Sequence, residues 1–211
     1  MVRLKFSLFI VLMLLNPLSW GEDDIGTRFT KTIDAITSFS GDFNQVVKDD
    51  EGDIIEKYQG EIFIQKPGNL RWNARVPFEQ TIVANKSTVW FYDKALKQVT
   101  INKSNNTKQK NPALVLSGTA EEIKKAYKIN LNVDEKTQVH AYELVPKKDD
   151  RLFEKIIINI QKDKIVSLEI YDSLEQITQI SFSNIKNNIK FKSNIFIFDV
   201  PKGVKVIRNN M

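Results

Sequence analysis

From Ser38 onward the chain is a succession of short β-branched and aromatic runs, and most connections between them are only a few residues long. The runs at 39–48, 54–65, 70–75, 81–84, 89–92 and 98–102 are separated by segments at 49–53, 66–69, 85–87 and 93–96, rich in Asp, Asn, Gly and Lys. A parallel crossover needs a dozen or more residues, so these neighbours pair antiparallel. The strand pattern returns from Leu131, with runs at 139–145, 153–161, 165–171, 177–185 and 195–200. The expected fold is mostly β with some helix (α+β): one antiparallel sheet of about ten or eleven strands. Twisted sheets of that size curl into a barrel or split into a sandwich.

Helices interrupt the pattern twice. Before Ser38, Ile25, Phe29, Ile33 and Ile36 fall on one stripe at the helical period, with Asp23 or Asp24 available as a cap. Between the two groups of strands, Asn111 and Pro112 read as an N-cap and first residue of a short helix that Gly118 ends. Thr119 and Glu122 then form a capping-box pair for a second helix, with Ile123, Ala126 and Tyr127 on its apolar side. These helices are too short to cover a large curled sheet. Its inner face is filled either by its own side chains or by a ligand.

The N-terminus bears on compartment. Arg3 and Lys5 precede an apolar run from Phe6 to Leu15, Asn16 and Pro17 break it, and Ser19 and Gly21 stand two apart. This is the pattern of a signal peptide, residues 1–21, cleaved before Glu22. The run is short for a hydrocarbon core of about 30 Å. One mature domain, 22–211, is expected, large enough to bury its own core.

Composition excludes several chemistries. There is no cysteine, so there is no disulfide, zinc–thiolate site, thiol nucleophile or lipid-modified N-terminal cysteine. The single histidine, His140, lies in a strand run and reads as a sheet-surface residue. The acidic groups at 49–51 and 149–150 fall in turns, and Ser117-Gly118 lacks the G-x-S-x-G elbow. The net charge of +5 is partly carried by Arg3 and Lys5, and the basic stretch 103–110 has no aromatic residue on which a base could stack. No enzyme, cofactor, metal or nucleic-acid function is expected.

Several motifs occur together within about fifty residues. They are Phe43-Asn44-Gln45, the stretch Gly60-Glu61-Ile62-Phe63-Ile64-Gln65-Lys66-Pro67-Gly68-Asn69-Leu70-Arg71-Trp72, Pro77-Phe78-Glu79-Gln80, and Val89-Trp90-Phe91-Tyr92-Asp93. In order and spacing they resemble the LolA family, periplasmic carriers that move lipoproteins from the inner to the outer membrane. The likeness extends over nearly the whole mature chain. It implies an incomplete antiparallel barrel closed by a helical lid, with an apolar cavity between them. It also implies three partners: acylated lipoproteins, an inner-membrane ABC-type release complex and an outer-membrane acceptor. The carrier itself is expected to be a monomer. A lipid- or lipoprotein-sensing domain of the same fold is the alternative.

Strand parity and the resemblance together select cavity residues. Phe43, Leu70, Trp72 and Phe91 come from the first half of the sheet, and Ile158, Leu168, Ile170 and Phe182 from the second. Leu114, Val115 and Leu116 are the apolar positions of the lid. The family carries an arginine before the turn proline that holds the lid by its backbone carbonyls. Here that residue is Lys66, a point charge without the planar guanidinium fork, and Arg71 is near enough in sequence to share the role.

Overall fold

The computed structural model describes residues 22–104, 112–148, 153–192 and 194–209. The segment 1–21, Asn111, Asp149 and Asp150 lie outside them, as does most of the basic stretch 103–110. A helix α1 (Glu22–Ala35) leads into β1 (Ser38–Lys48), β2 (Ile54–Gln65), β3 (Asn69–Val76), β4 (Gln80–Ala84), β5 (Thr88–Asp93) and β6 (Gln98–Lys103). A 3-10 helix (Pro112–Ser117) and α2 (Ala120–Ala126) follow, then β7 (Tyr127–Asp134), β8 (Val139–Pro146), β9 (Phe153–Gln161), β10 (Lys164–Asp172), β11 (Ile177–Asn187) and β12 (Lys205–Asn209).

All twelve strands form one sheet in the order β12-β6-β5-β4-β3-β2-β1-β11-β10-β9-β8-β7. Its two edge strands, β12 and β7, do not pair, so the barrel is incomplete. Its centre is β1, whose neighbours are β2 on one side and β11 on the other. Short turns make every sequential pair antiparallel, as expected. The 3-10 helix and α2 lie in chain order between the two halves of the sheet, and together with α1 they cover its inner face.

Four features differ from the sequence reading. The run 195–200 is not a strand: Ile195 and Ile197 donate their N–H groups into local turns, to the carbonyls of Lys192 and Asn194. The last strand is instead β12, and it pairs parallel with β6. A parallel partner is reachable because the chain crosses the outer face of the sheet between β11 and β12, where Phe191 and residues 195–198 pack. Strand β7 starts at Tyr127, not Leu131, since pairing with β8 captures the chain directly from the end of α2. Finally, α1 already begins at Glu22, which places Asp23 and Asp24 inside its first turn and not at its cap.

The two faces carry separate apolar layers. The inner layer joins α1, the 3-10 helix and α2 to both halves of the sheet in one cluster. On the outer face, Val83, Val99, Ile101 and Phe196 are buried outside that cluster. The crossing segment lies over this face, with Phe191 against Phe63 and Phe198 against Tyr92, ring centroids 6.0 and 5.7 Å apart.

Candidate functional site

The inner face is assembled by register. Leu70 stands between Ile64 and Ala84, and Trp72 between Ile62 and Ile82. Phe43 pairs with Phe182 across β1 and β11, and its ring centroid lies 3.8 Å from that of Trp72, the planes tilted by 30°. In the other half, Leu168 faces Ile158 and Ile170 faces Ile156. Phe29 of α1 reaches across to Tyr142 of β8, ring centroids 5.1 Å apart.

All the sequence-selected apolar residues meet here. Phe43, Leu70, Trp72, Leu114, Val115, Leu116, Ile158, Leu168, Ile170 and Phe182 are buried members of the single inner cluster. Phe91 is half-buried and packs against it. Its partner on β4 is Ile82, itself only partly covered.

The helical cover is held by polar ties at its ends. The β2–β3 turn is the hub. Lys66 donates through Nζ to the Ile33 carbonyl at 2.7 Å and through its backbone N–H to the Thr37 carbonyl at 2.9 Å. The Gly68 N–H reaches the Ser117 carbonyl of the 3-10 helix at 2.8 Å. Asp34 of α1 accepts from the Ala120 N–H, joining α1 to the start of α2, which also carries the expected Thr119–Glu122 capping box. Asn188, beyond β11, donates to the Ala35 carbonyl and accepts from Thr37. Lys147 donates to the carbonyls of Lys124 and Ala126 at the end of α2. Asp34, Lys147 and Asn188 belong to no motif of the sequence, whereas Gly68 stands in the Gly60–Trp72 stretch and the turn 66–69. Asn188 carries a weaker signal, as an asparagine able to take the left-handed backbone it adopts (φ 55°).

Arg71 is elsewhere. Its neighbours Leu70 and Trp72 point inward, so strand alternation turns it outward. There its Nη1 donates to the carbonyls of Ile195 at 3.0 Å and Ile197 at 3.4 Å, and its Nε to Asn73. It tethers the crossing segment, while Lys66 alone of the two reaches the helical cover. Arg71 also lines a cleft of 640 Å³ between that segment and the sheet, together with Thr81, Tyr92 and Asp199.

Burial pushes the Lys66 ammonium down to about 8, with the Asp34 carboxylate acting in the opposite direction. The sign of the consequence is fixed by linkage. Between about pH 8 and the ordinary lysine value of 10.5, the unfolded chain holds a proton that the folded chain has lost. Stability therefore rises across this window by up to about 3 kcal/mol relative to a variant lacking the amine. Urea denaturation of the parent and Lys66→Met at pH 7 and pH 10 checks this. A stability difference that stays constant between the two pH values would show that Lys66 is not desolvated.

The arrangement is a curled sheet with an apolar inner face under a short, polar-tied cover. Residues 34–199 match the family of the outer membrane lipoprotein carrier protein LolA. The chain belongs to the LolA family. Outer-membrane lipoprotein carrier proteins of Chromohalobacter salexigens and Methylococcus capsulatus are 30% and 32% identical to it. The first alignment covers 97% of both chains, the second 95% of this chain and 98% of the relative. The same fold is seen in a LolA superfamily protein from Nitrosomonas europaea, with a TM-score of 0.52 and 10% identity over 82% of this chain and 98% of that one. A conserved protein from Thermus thermophilus shares it too, with a TM-score of 0.53 and 12% identity over 90% and 100% of the two chains. Among the described residues of this LolA family member, no group of three His, Cys, Asp or Glu side chains is placed to hold a metal ion.

Proposed function

We propose that this chain carries lipoproteins through the periplasm by lodging their acyl chains between the inner face of the sheet and its helical cover. The observation that carries the reading is the single apolar cluster shared by both halves of the sheet and all three helical segments. Each buried acyl methylene contributes about 0.8 kcal/mol, so the several chains of a triacylated anchor supply a large driving force for entering an apolar site. The cover is held by its apolar side chains in that cluster, whose contacts entering acyl chains would replace, and by a handful of hydrogen bonds, each worth about 1 kcal/mol net. A ligand of that size can therefore displace it without unfolding the sheet. Cavity formation is then a parting of α1, the 3-10 helix and α2 from Leu70, Trp72 and their neighbours.

In this reading the chain works as a monomer, with no catalytic step. It receives cargo from an ABC-type complex at the inner membrane and gives it to an acceptor at the outer membrane. The decisive test incubates the purified protein with inner-membrane vesicles holding labelled lipoprotein, the release complex and ATP. A soluble one-to-one cargo complex is expected. No release with the native complex present would overturn the proposal. A simpler measurement is binding of an apolar fluorophore. It should be displaced by an acylated peptide and weakened about tenfold by Leu114→Glu, which puts a carboxylate into the cluster.

A further inference from the structure

The end of the sheet opposite the Lys66 hub holds most of the exposed apolar side chains. Ile54, Ile55, Val76, Phe78, Leu96 and Leu174 are all large and exposed there, and their turns divide into two groups by charge. The β1–β2 and β10–β11 turns are acidic, with Asp49, Asp50, Glu51 and Asp53 on the first and Asp172 and Glu175 on the second. The β3–β4 turn, the β5–β6 turn and the approach to β12 carry the opposite balance. Arg75, Lys94, Lys97, Lys202 and Lys205 there stand against Glu79, Asp93 and Asp199, and Arg75 is ion-paired to Glu61 of β2, which leaves a surplus of one positive charge.

That basic half is built as one platform. Lys94 donates to Glu79 twice, from its backbone N–H to the carbonyl at 3.2 Å and from Nζ to Oε2 at 2.7 Å. Gln80 donates to Asp93 at 3.3 Å, and the Leu96 N–H to the other oxygen of Asp93 at 2.9 Å. The Lys205 N–H closes the set on the Lys97 carbonyl at 2.8 Å. Two of the three carboxylates are thus engaged, while Lys97, Lys202 and Lys205 form no ion pair among the described residues. The platform holds Phe78, 58% exposed, and Leu96, 70% exposed, out at the tips of two adjacent turns. A bulge sets the angle of the first turn: Val76 pairs with Gln59 and Ala74 with Gly60, leaving Arg75 as the extra residue.

We propose that this rim is a membrane-contact surface: Phe78 and Leu96 enter the headgroup region of an anionic bilayer while Lys97, Lys202 and Lys205 lie among its phosphates. The inference rests on the rim alone and goes beyond the carrier reading. Separate apolar prongs with flanking lysines suit a fluid interface, which closes around each prong. A protein partner would instead need a continuous complementary patch. The acidic turns fix the orientation, since they are repelled from the same surface.

The test is co-sedimentation of the full-length mature chain with phosphatidylcholine vesicles, with and without phosphatidylglycerol. Binding is expected only with phosphatidylglycerol, weakening as salt rises. Phe78→Ser with Leu96→Ser should reduce it roughly tenfold or more, and Lys97→Glu with Lys202→Glu several-fold. Ile54→Ser with Ile55→Ser, on the acidic side, should leave it unchanged. The chain has no cysteine, so Phe78→Cys, Leu96→Cys and Ile54→Cys can each carry an environment-sensitive dye. A blue shift on adding vesicles is expected at 78 and 96 and not at 54. Equal binding by parent and Phe78→Ser/Leu96→Ser, equal dye shifts at all three sites, or binding to a membrane protein but not to lipid alone would each overturn the proposal.

Discussion

Gly60→Ala is expected to lower the melting temperature by roughly 10 °C, a loss of about 2–3 kcal/mol, although it adds one methyl group. Gly60 sits on β2 beside the Arg75 bulge, opposite Phe43 on β1 and Ala74 on β3. A Cβ there would overlap the Asn73 carbonyl and stand 2.8 Å from Phe43 Cε1. Neither neighbour can yield cheaply, one being backbone in the sheet and the other a ring stacked on Trp72. Gly26→Ala is the matched comparison. It lies in α1, where a Cβ would meet only the flexible end of Lys124 at 3.5 Å. That substitution should stabilise by about 1 kcal/mol through helix propensity alone. Thermal denaturation followed by circular dichroism separates the two signs, and a Gly60→Ala protein as stable as the parent would refute the packing described for β1–β3.

The second large effect belongs to Trp72. Its removal as Trp72→Ala should cost about 3–5 kcal/mol, since the indole is 6% exposed and opposed by Ile62, Ile82 and Phe43. Part of that cost is pairwise. A double-mutant cycle with Phe43→Ala should give a coupling of about 0.5–1.5 kcal/mol. The carrier reading adds a condition that an ordinary core would not meet. A saturating acylated peptide should restore part of the lost stability, because a hydrocarbon chain can occupy the space the indole leaves. Urea titrations with and without the peptide measure this. If the peptide helps neither parent nor variant, the inner face around Trp72 is core and nothing more.

Local chemistry was the legible part of this fold. Strands β2 and β9 begin and end where their flanking Asp, Gly and Lys residues say they should, and the Thr119–Glu122 box is written within four residues. Parity placed Leu70 and Trp72 on one face because β3 has no irregularity between them. The same rule, applied to Arg71, would have sent it outward. What could not be read was set by distant partners. The alternation of Ile195, Phe196, Ile197 and Phe198 has strand composition, yet its carbonyls are taken by Arg71, more than a hundred residues earlier. β12 was missed for a related reason, since its parallel partner β6 lies equally far back in the chain. The polar ties of the helical cover are likewise single long-range contacts between residue types common on any surface.

The position of β1 has a consequence for how the chain acquires its structure. One edge of β1 is satisfied at once by β2, the next strand to be made, but the other must wait for β11, beginning at residue 177. Through most of synthesis, β1 to β6 can form only a half-sheet with one bare central edge and an apolar face that α1 alone cannot fully cover. Such an edge invites pairing with another chain, and contacts of this sequence separation form slowly. Completion of the sheet is therefore a late event, gated by arrival of the C-terminal third. Until then the polypeptide stays pliable enough to be threaded, and exposed enough to need protection from its own kind.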